Sequence, residues 1–323
     1  MRLGEELLYL SRAEVEATGV TLAEIEEAVE GVFTGQARGG VDPVPKTSFR
    51  PTPDAAHFLS MPGALGHPPL AMHKWVGLSD ANAARKLPHL GSLIVLSDLA
   101  SGMPVAFLDG TWITAARTAA MSTVAARRLA RPDSKRIGFI GSGVQATGHL
   151  AALLDAFPIE EIAVFDRFPD SARAFAAASD GLEARVVDEA RLAVEGMDIV
   201  VTTIPAAPDL KPFLEVAWLG LGAFVTMVDL GRSWKAAGFE TVECIAVDSY
   251  GQADHLPADR GFPYSGPFHA DLAELVGGIH PGRRSAGDRT IFLHPGMALP
   301  DMAVAAVIYQ RAREEGRGTV LPL

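Results

Sequence analysis

An α/β protein built on a doubly wound parallel sheet is what this sequence predicts, and three observations carry the prediction. The apolar run Ile137-Gly-Phe-Ile140 is followed by Gly141-Ser-Gly143-Val-Gln-Ala146, which turns a short buried strand into a helical stretch ending near Phe157. A second strand, Ile162-Ala-Val-Phe-Asp166, follows at βαβ spacing and ends in an acid 20 residues after Ala146. Beyond it strand and helix keep alternating, which calls for a parallel sheet covered on both faces.

The glycine run has physical content. Its first glycine allows the tight turn and its second lets the backbone approach a pyrophosphate. A small third residue, here Ala146, lets helix pack close to strand. The phosphates then sit on free N–H groups at the helix N-terminus. Asp166 stands where a carboxylate holds the adenosine ribose hydroxyls and repels a 2′-phosphate, whereas the adjacent Arg167 is placed to bind that phosphate. NAD is the expected cofactor, with NADP as the alternative.

A length of 323 residues points to about two domains, and an apolar fraction of 48% supplies a sizeable core. The net charge of −11, without a clustered Lys/Arg run, argues against nucleic acid or an anionic membrane as partner. One cysteine, Cys244, leaves no disulfide within the chain and fits a reducing compartment. Met1-Arg-Leu-Gly-Glu-Glu lacks a basic-then-apolar signal pattern, and no apolar stretch reaches about 18 residues. A soluble, cytoplasmic protein is expected. Only six of the 28 basic residues are lysines, so each lysine carries extra diagnostic weight.

In chain order, Ser11 and Thr21 read as helix N-caps, and Thr21-Leu-Ala-Glu24 is a capping-box pattern opening a helix with Leu22, Ile25, Val29 and Val32-Phe33 on one face. Gly39-Gly40 ends it. From Val41 to Asp109 prolines at 43, 45, 51, 53, 62, 68 and 69 exclude long helices. There Ala71 to Gly77 reads as a strand, and Ser92–Asp98 with Met103–Asp109 as a hairpin around Ala100-Ser-Gly102. An Ala-rich helix from about Thr111 to Ala130 leads through Arg131-Pro132-Asp133 to the glycine turn, so the first domain boundary is set at 133/134. After Asp166 come a helix started by Pro169, strand Ala184–Val187, a short helix, and strands Asp198–Thr202, Ala223–Val228, Cys244–Asp248 and Thr290–His294. Asp248 to Pro267 is polar and turn-rich, and Pro300 to Glu315 is a last helix that packs back on the first domain.

Several residues are candidates for chemistry, each with a plainer reading beside it. Lys74, inside an apolar strand, is either a functional cation at a pocket wall or an edge-strand lysine that discourages aggregation. Arg117, the lone charge in Thr114-Ala-Ala-Arg-Thr-Ala-Ala120, either grips a carboxylate or phosphate bidentately or forms a structural ion pair. Asp229 follows a strand end, where open α/β sheets bind ligands, and serves there for proton transfer or as a loop cap. Thr202 and Thr203, at another strand end, are placed to touch the cofactor. The nine histidines form no metal set, and Ser142 does not sit in a Gly-x-Ser-x-Gly elbow.

Taken together, His73-Lys74-Trp75-Val76, Leu108-Asp109-Gly110, Thr114 to Ala120, Gly141-Ser-Gly-Val-Gln145-Ala, Met227-Val-Asp229 and Gly296 to Asp301 resemble the ornithine cyclodeaminase and mu-crystallin family along nearly the whole chain. The resemblance implies a Rossmann-type doubly wound parallel sheet over 134–299. It also implies an N-terminal α/β dimerisation domain over 1–133 that receives the C-terminal helix of 300–323, and hence a homodimer. By the same resemblance Lys74 is the active-site lysine, Arg117 a carboxylate-binding arginine and Asp229 the catalytic aspartate. Cofactor contacts are implied at Thr118, Gly141, Gly143, Val144, Gln145 and Asp166, and further along at Arg167, Thr202, Thr203, Met227 and His294.

Two positions depart from the family pattern. Lys46 follows Pro45 where the family has a substrate-binding arginine, keeping the charge and losing the bidentate fork. His294 stands where the family often has a small residue near the nicotinamide, and either reshapes the pocket or faces solvent. The implied chemistry is hydride transfer at the α-carbon of a small amino or imino acid. It runs as cyclodeamination with ammonia release, or as an amino acid dehydrogenase or imino acid reductase that consumes the cofactor. A third alternative is a mu-crystallin-like binder of small molecules without turnover.

Overall fold

A computed structural model describes residues 1–40, 44–52, 55–205, 210–254, 264 and 266–323 of the chain. Val41, Pro43 and Pro53 of the proline-rich region, and 255–263 and 265 of the polar stretch before Pro267, lie outside the described residues. The chain divides into two compact units, Met1–Arg117 with Met297–Leu323, and Thr118–Gly296.

The first unit opens with β1 (Glu6–Leu10), α1 (Arg12–Ala17) and α2 (Leu22–Ala37). Ser11 and Thr21 each close a complete capping box, with Glu14 and Glu24 reaching back to the cap N–H, so both helices start where their sequences specify. On α2 the buried side is Ile25, Val29, Val32 and Phe33, spaced at three and four residues. Then come β2 (Thr47–Phe49), β3 (His57–Leu65), β4 (Leu70–Leu78), β5 (Leu90–Asp98), β6 (Pro104–Asp109) and helix α3 (Gly110–Leu129).

The second unit holds β7 (Arg136–Ile140), α4 (Val144–Ala156), β8 (Glu161–Phe165), α5 (Pro169–Ala177), β9 (Glu183–Val186), β10 (Ile199–Thr202) and β11 (Phe224–Met227). It continues with β12 (Cys244–Val247), α6 (Tyr250–Asp254), β13 (Ala270–Asp271), α7 (Leu272–Val276) and β14 (Thr290–Leu293). The chain closes on α8 (Leu299–Glu314) and β15 (Thr319–Pro322), which return to the first unit.

The first sheet runs β15-β1-β6-β5-β4-β3-β2, antiparallel except for the parallel β1–β6 pair. Along β4 burial alternates, so Met72, Lys74 and Val76 face inward while His73 and Trp75 face out. Helix α8 packs against α2 and β3. Neither β1 nor β15 is anticipated from the sequence. Both are short, and β15 is exposed throughout, so its existence rests on pairing with β1 rather than on a pattern of its own.

The second sheet is parallel throughout, in the order β13-β12-β14-β11-β10-β7-β8-β9. Strands β10 and β11 are buried at every position, as strands covered on both faces must be. From β7 the chain goes outward to β8 and β9, then returns to β10 on the other side. The order therefore reverses between β7 and β10, which is the switch point where such sheets open a ligand crevice.

The units divide inside α3, at Arg117/Thr118, and not at 133/134 where the sequence reading sets the boundary. The helix runs unbroken through the division. The punctuation visible in the sequence, Arg131-Pro132-Asp133, marks only the end of the helix.

Candidate active site

Within the second unit, the glycine turn lies at the carboxyl end of β7. Gly141 has φ +93°, a backbone conformation that glycine adopts at no steric cost. Its N–H bonds the carbonyl of Phe165 at 2.9 Å, and the Thr203 N–H bonds the carbonyl of Ile140 at 2.9 Å, so β8 and β10 flank the turn. Gly143 is the N-cap of α4, and no side chain caps that helix. A Cβ placed on Gly143 would meet no protein atom within 4 Å. Val144, in the first turn, is 75% exposed, and the buried side-chain oxygen of Gln145 accepts no hydrogen bond among the described residues.

These features fit a dinucleotide phosphate: an uncapped helix N-terminus, open space at the second glycine and an exposed apolar side chain beside it. Asp166 turns back to the same place. One oxygen accepts from the Ser142 N–H at 2.9 Å and from its hydroxyl at 2.8 Å, and the other accepts from the Phe168 N–H at 2.9 Å. Arg167 is exposed and lies over the Phe168 ring, 4.8 Å from the centroid.

Asp229 lies just past β11 and is buried. Its Oδ1 accepts from Thr202 Oγ1 at 2.8 Å and from the Gly231 N–H at 3.0 Å, and Oδ2 accepts from Ser233 Oγ at 2.5 Å. The turn between them is strained at Leu230, whose φ of 60° is left-handed and costs a non-glycine residue about 1–2 kcal/mol. Burial pushes the Asp229 carboxyl above its ordinary value, outweighing the three hydrogen bonds that favour the anion. The hydroxyl of Thr202 is therefore spent on Asp229, while Thr203 points its own at the carbonyls of Ile140 and Gly141. Met227 is fully buried in the core of the second unit.

His294 does not face solvent. Its Nε2 lies 2.9 Å from Ser122 Oγ and 2.9 Å from Thr226 Oγ1, inside a buried group that also includes His149. Burial pushes His149 down to about 4, so it is neutral. Thr118 is buried at the start of this unit's share of α3. Ser122, His149 and Thr226 escape the sequence reading because each lies in an apolar run that looks like ordinary packing.

In the first unit, β4 runs between β3 and β5, so Lys74 is not an edge-strand lysine. It is 1% exposed. Its Nζ donates to Asp301 Oδ1 at 2.5 Å, and Arg117 Nε donates to the same oxygen at 3.1 Å. Burial pushes the Lys74 ammonium down to about 8, with Asp301 opposing that shift and Arg117 adding to it. The structure thus brings Lys74 and Arg117 together on one carboxylate. Lys46 is half-buried in the segment before β2, at the far edge of the same sheet, two strands from β4.

Asp301 appears in the sequence reading only as the last residue of a matching stretch. It is nevertheless the only Asp, Glu, Lys or Arg between Arg289 and Arg311, a lone acid in an apolar helix, and that signal would have found it. A separate depression of about 510 Å³ opens on the outer side of this sheet, lined by Trp75, Asn82 and Arg85. Lys74 faces the other way. Among the described residues no group of three or more His, Cys, Asp or Glu side chains is arranged to hold a metal ion, and no helix is long and apolar enough to cross a membrane.

The model of the ornithine cyclodeaminase/mu-crystallin family matches residues 5–316. An alanine dehydrogenase from Archaeoglobus fulgidus is 31% identical over 97% of this chain and 98% of its own. The Thermococcus litoralis Δ1-pyrroline-2-carboxylate reductase, solved with NADH and L-proline, is 32% identical at a TM-score of 0.88, covering 97% of this chain and 99% of that one. An archaeal alanine dehydrogenase dimer with bound NAD is 30% identical at a TM-score of 0.86, covering 98% and 99%.

Proposed function

We propose, for a chain that belongs to the ornithine cyclodeaminase/mu-crystallin family, an NAD-dependent oxidoreductase that interconverts a small α-amino acid and its α-imino acid. The observation that carries this reading is the pair of buried cations, Lys74 and Arg117, sharing the single carboxylate of Asp301. Two buried cations that converge on one carboxylate oxygen form a site suited to an anion. A substrate carboxylate is the anion this reading places there, and arginine is the side chain able to grip one bidentately.

Bound at the glycine turn, the nicotinamide dinucleotide supplies or receives the hydride at the substrate α-carbon. In this reading Gly141, Gly143 and the first turn of α4 hold its phosphates, and Asp166 favours NAD over NADP. Lys74 and Arg117 fix the substrate carboxylate, and Lys46 adds a third cation without the fork of an arginine. Asp229 exchanges the proton at the substrate nitrogen. A carboxyl raised by burial, with hydrogen bonds that still tolerate the anion, is suited to giving and taking a proton.

Cyclodeamination comes first on family resemblance alone. Full-length similarity to an alanine dehydrogenase and a pyrroline-2-carboxylate reductase supports the dehydrogenase or reductase reading as well as cyclodeamination. The test is incubation with NADH and Δ1-pyrroline-2-carboxylate, or pyruvate plus ammonia, and with NAD and L-alanine, L-proline or L-ornithine. Nicotinamide absorbance and ammonia are followed together. Net oxidation of NADH by an imino acid, lost in Asp229→Asn, is the expected result. Ammonia release from ornithine without net change in cofactor assigns cyclodeamination instead, and no turnover of any pair leaves a binding protein. Homodimerisation is proposed from the dimeric alanine dehydrogenase and is read by light scattering.

A further inference from the structure

We propose that Asp301 is the positioning residue of the carboxylate site: its charge keeps Lys74 in the ammonium form, so that anion binding at Lys74 and Arg117 is switched by Asp301. This rests on the carboxylate-binding reading above and goes beyond it by naming the group on which the pH range of binding depends.

Lys74 sits in an inward row with Met72 and Val76, and the strands on either side set Met61 and Ile94 directly opposite it. None of these side chains stabilises a charge. Among the described residues, the charged groups acting on Lys74 are Asp301 from α8 and Arg117 from α3. They act in opposite directions. A second cation disfavours the ammonium, and desolvation disfavours it further. Among the described residues the group that opposes both is Asp301, whose Oδ1 lies 2.5 Å from Nζ.

That carboxylate is fully buried, and its other oxygen accepts no hydrogen bond among the described residues. It acts on Lys74 and Arg117 through one oxygen. The balance is narrow: even with Asp301 present, burial leaves Lys74 at about 8, within reach of physiological pH. Neutralising Asp301 leaves two desolvated cations side by side, and Lys74 is the one able to give up its proton. A carboxylate ligand then has to recruit a proton in order to bind.

The experiment titrates pyruvate, a small α-oxo carboxylate that mimics an imino acid, into the full-length protein and into Asp301→Asn by calorimetry. Affinity is measured across pH in buffers of different ionisation enthalpy. In the wild type, affinity is flat below the break near 8 and falls about tenfold per pH unit above it. In Asp301→Asn the break moves at least about one pH unit lower, and about one pH unit above the new break binding takes up close to one proton per pyruvate. A merely structural role for Asp301 weakens binding equally at every pH and leaves the break in place, which overturns the inference while the carboxylate reading survives. Failure of the wild type to bind pyruvate at any pH overturns both. Lys74→Met is the second variant: its affinity must lose the break altogether, and a break that persists there overturns the inference even if Asp301→Asn does not fold.

Discussion

Replacing Gly141 and Gly143 by alanine, one at a time, separates the demands of the protein from those of the cofactor. At Gly141 the protein itself objects. An alanine there would hold φ +93°, and its Cβ would lie 2.9 Å from Thr203 Oγ1. Such a conformation costs a non-glycine residue on the order of 1–3 kcal/mol, so Gly141→Ala loses that much stability and distorts the turn. At Gly143 the protein has no objection. The backbone is extended, with φ −85°, and the added Cβ finds nothing within 4 Å. Removing glycine's freedom in the unfolded chain stabilises by about 0.4–1 kcal/mol, and the poorer fit of alanine than glycine at an N-cap offsets a similar amount.

Under the proposed function, the cofactor phosphate is the partner that would need the space at Gly143. Urea unfolding and NADH fluorescence titration on the same samples read both quantities. Gly143→Ala is expected to keep its stability within about 1 kcal/mol while its NADH dissociation constant rises at least about tenfold, or roughly 1.4 kcal/mol. Gly141→Ala is expected to lose both stability and affinity. A Gly143→Ala protein that binds NADH like the wild type refutes the assignment of this turn as the phosphate cradle.

Two further variants test the buried carboxylates. Removing the Ser233 hydroxyl withdraws one of the donors that favour ionised Asp229, so Ser233→Ala moves that carboxyl still higher. In protein labelled at the aspartate carboxyl carbon, the resonance missing from Asp229→Asn must titrate at higher pH in Ser233→Ala, and an unmoved resonance counts against the geometry. The sign for stability follows: because the folded value is raised, the contribution of Asp229 is complete below the unfolded value and is lost as pH rises through the folded one.

Asp198 is the opposite case. Burial pushes it up, but the N–H groups of Lys135 and Arg136 and the Arg136 guanidinium outweigh burial and hold the carboxyl below its ordinary range, with Arg131 at 2.5 Å as a further partner. Asp198→Asn should cost roughly 1.5–3 kcal/mol in urea unfolding at neutral pH. That cost shrinks as pH falls through the folded value, and an unchanged midpoint at neutral pH overturns the argument.

Local chemistry made much of this molecule readable in advance. The capping boxes at Ser11 and Thr21, the alternation along β4, the apolar strands of the parallel sheet and the glycine turn each follow from interactions within a few residues. Those interactions are present in the chain before it folds, so the fold class and the dinucleotide pattern were legible. What depends on distant partners was not. Whether Lys74 is an edge or a central lysine turns on which strands flank β4, and the answer came from the strand order. Asp301, 227 residues away in sequence, meets Lys74 only because α8 returns to the first unit. The histidine at 294 looked equally suited to solvent or to a pocket until Ser122 and Thr226 were found against its Nε2. A charge or a hydrogen bond acts over a few ångströms of space, so the sequence determined which groups were available and only the tertiary structure decided which of them met.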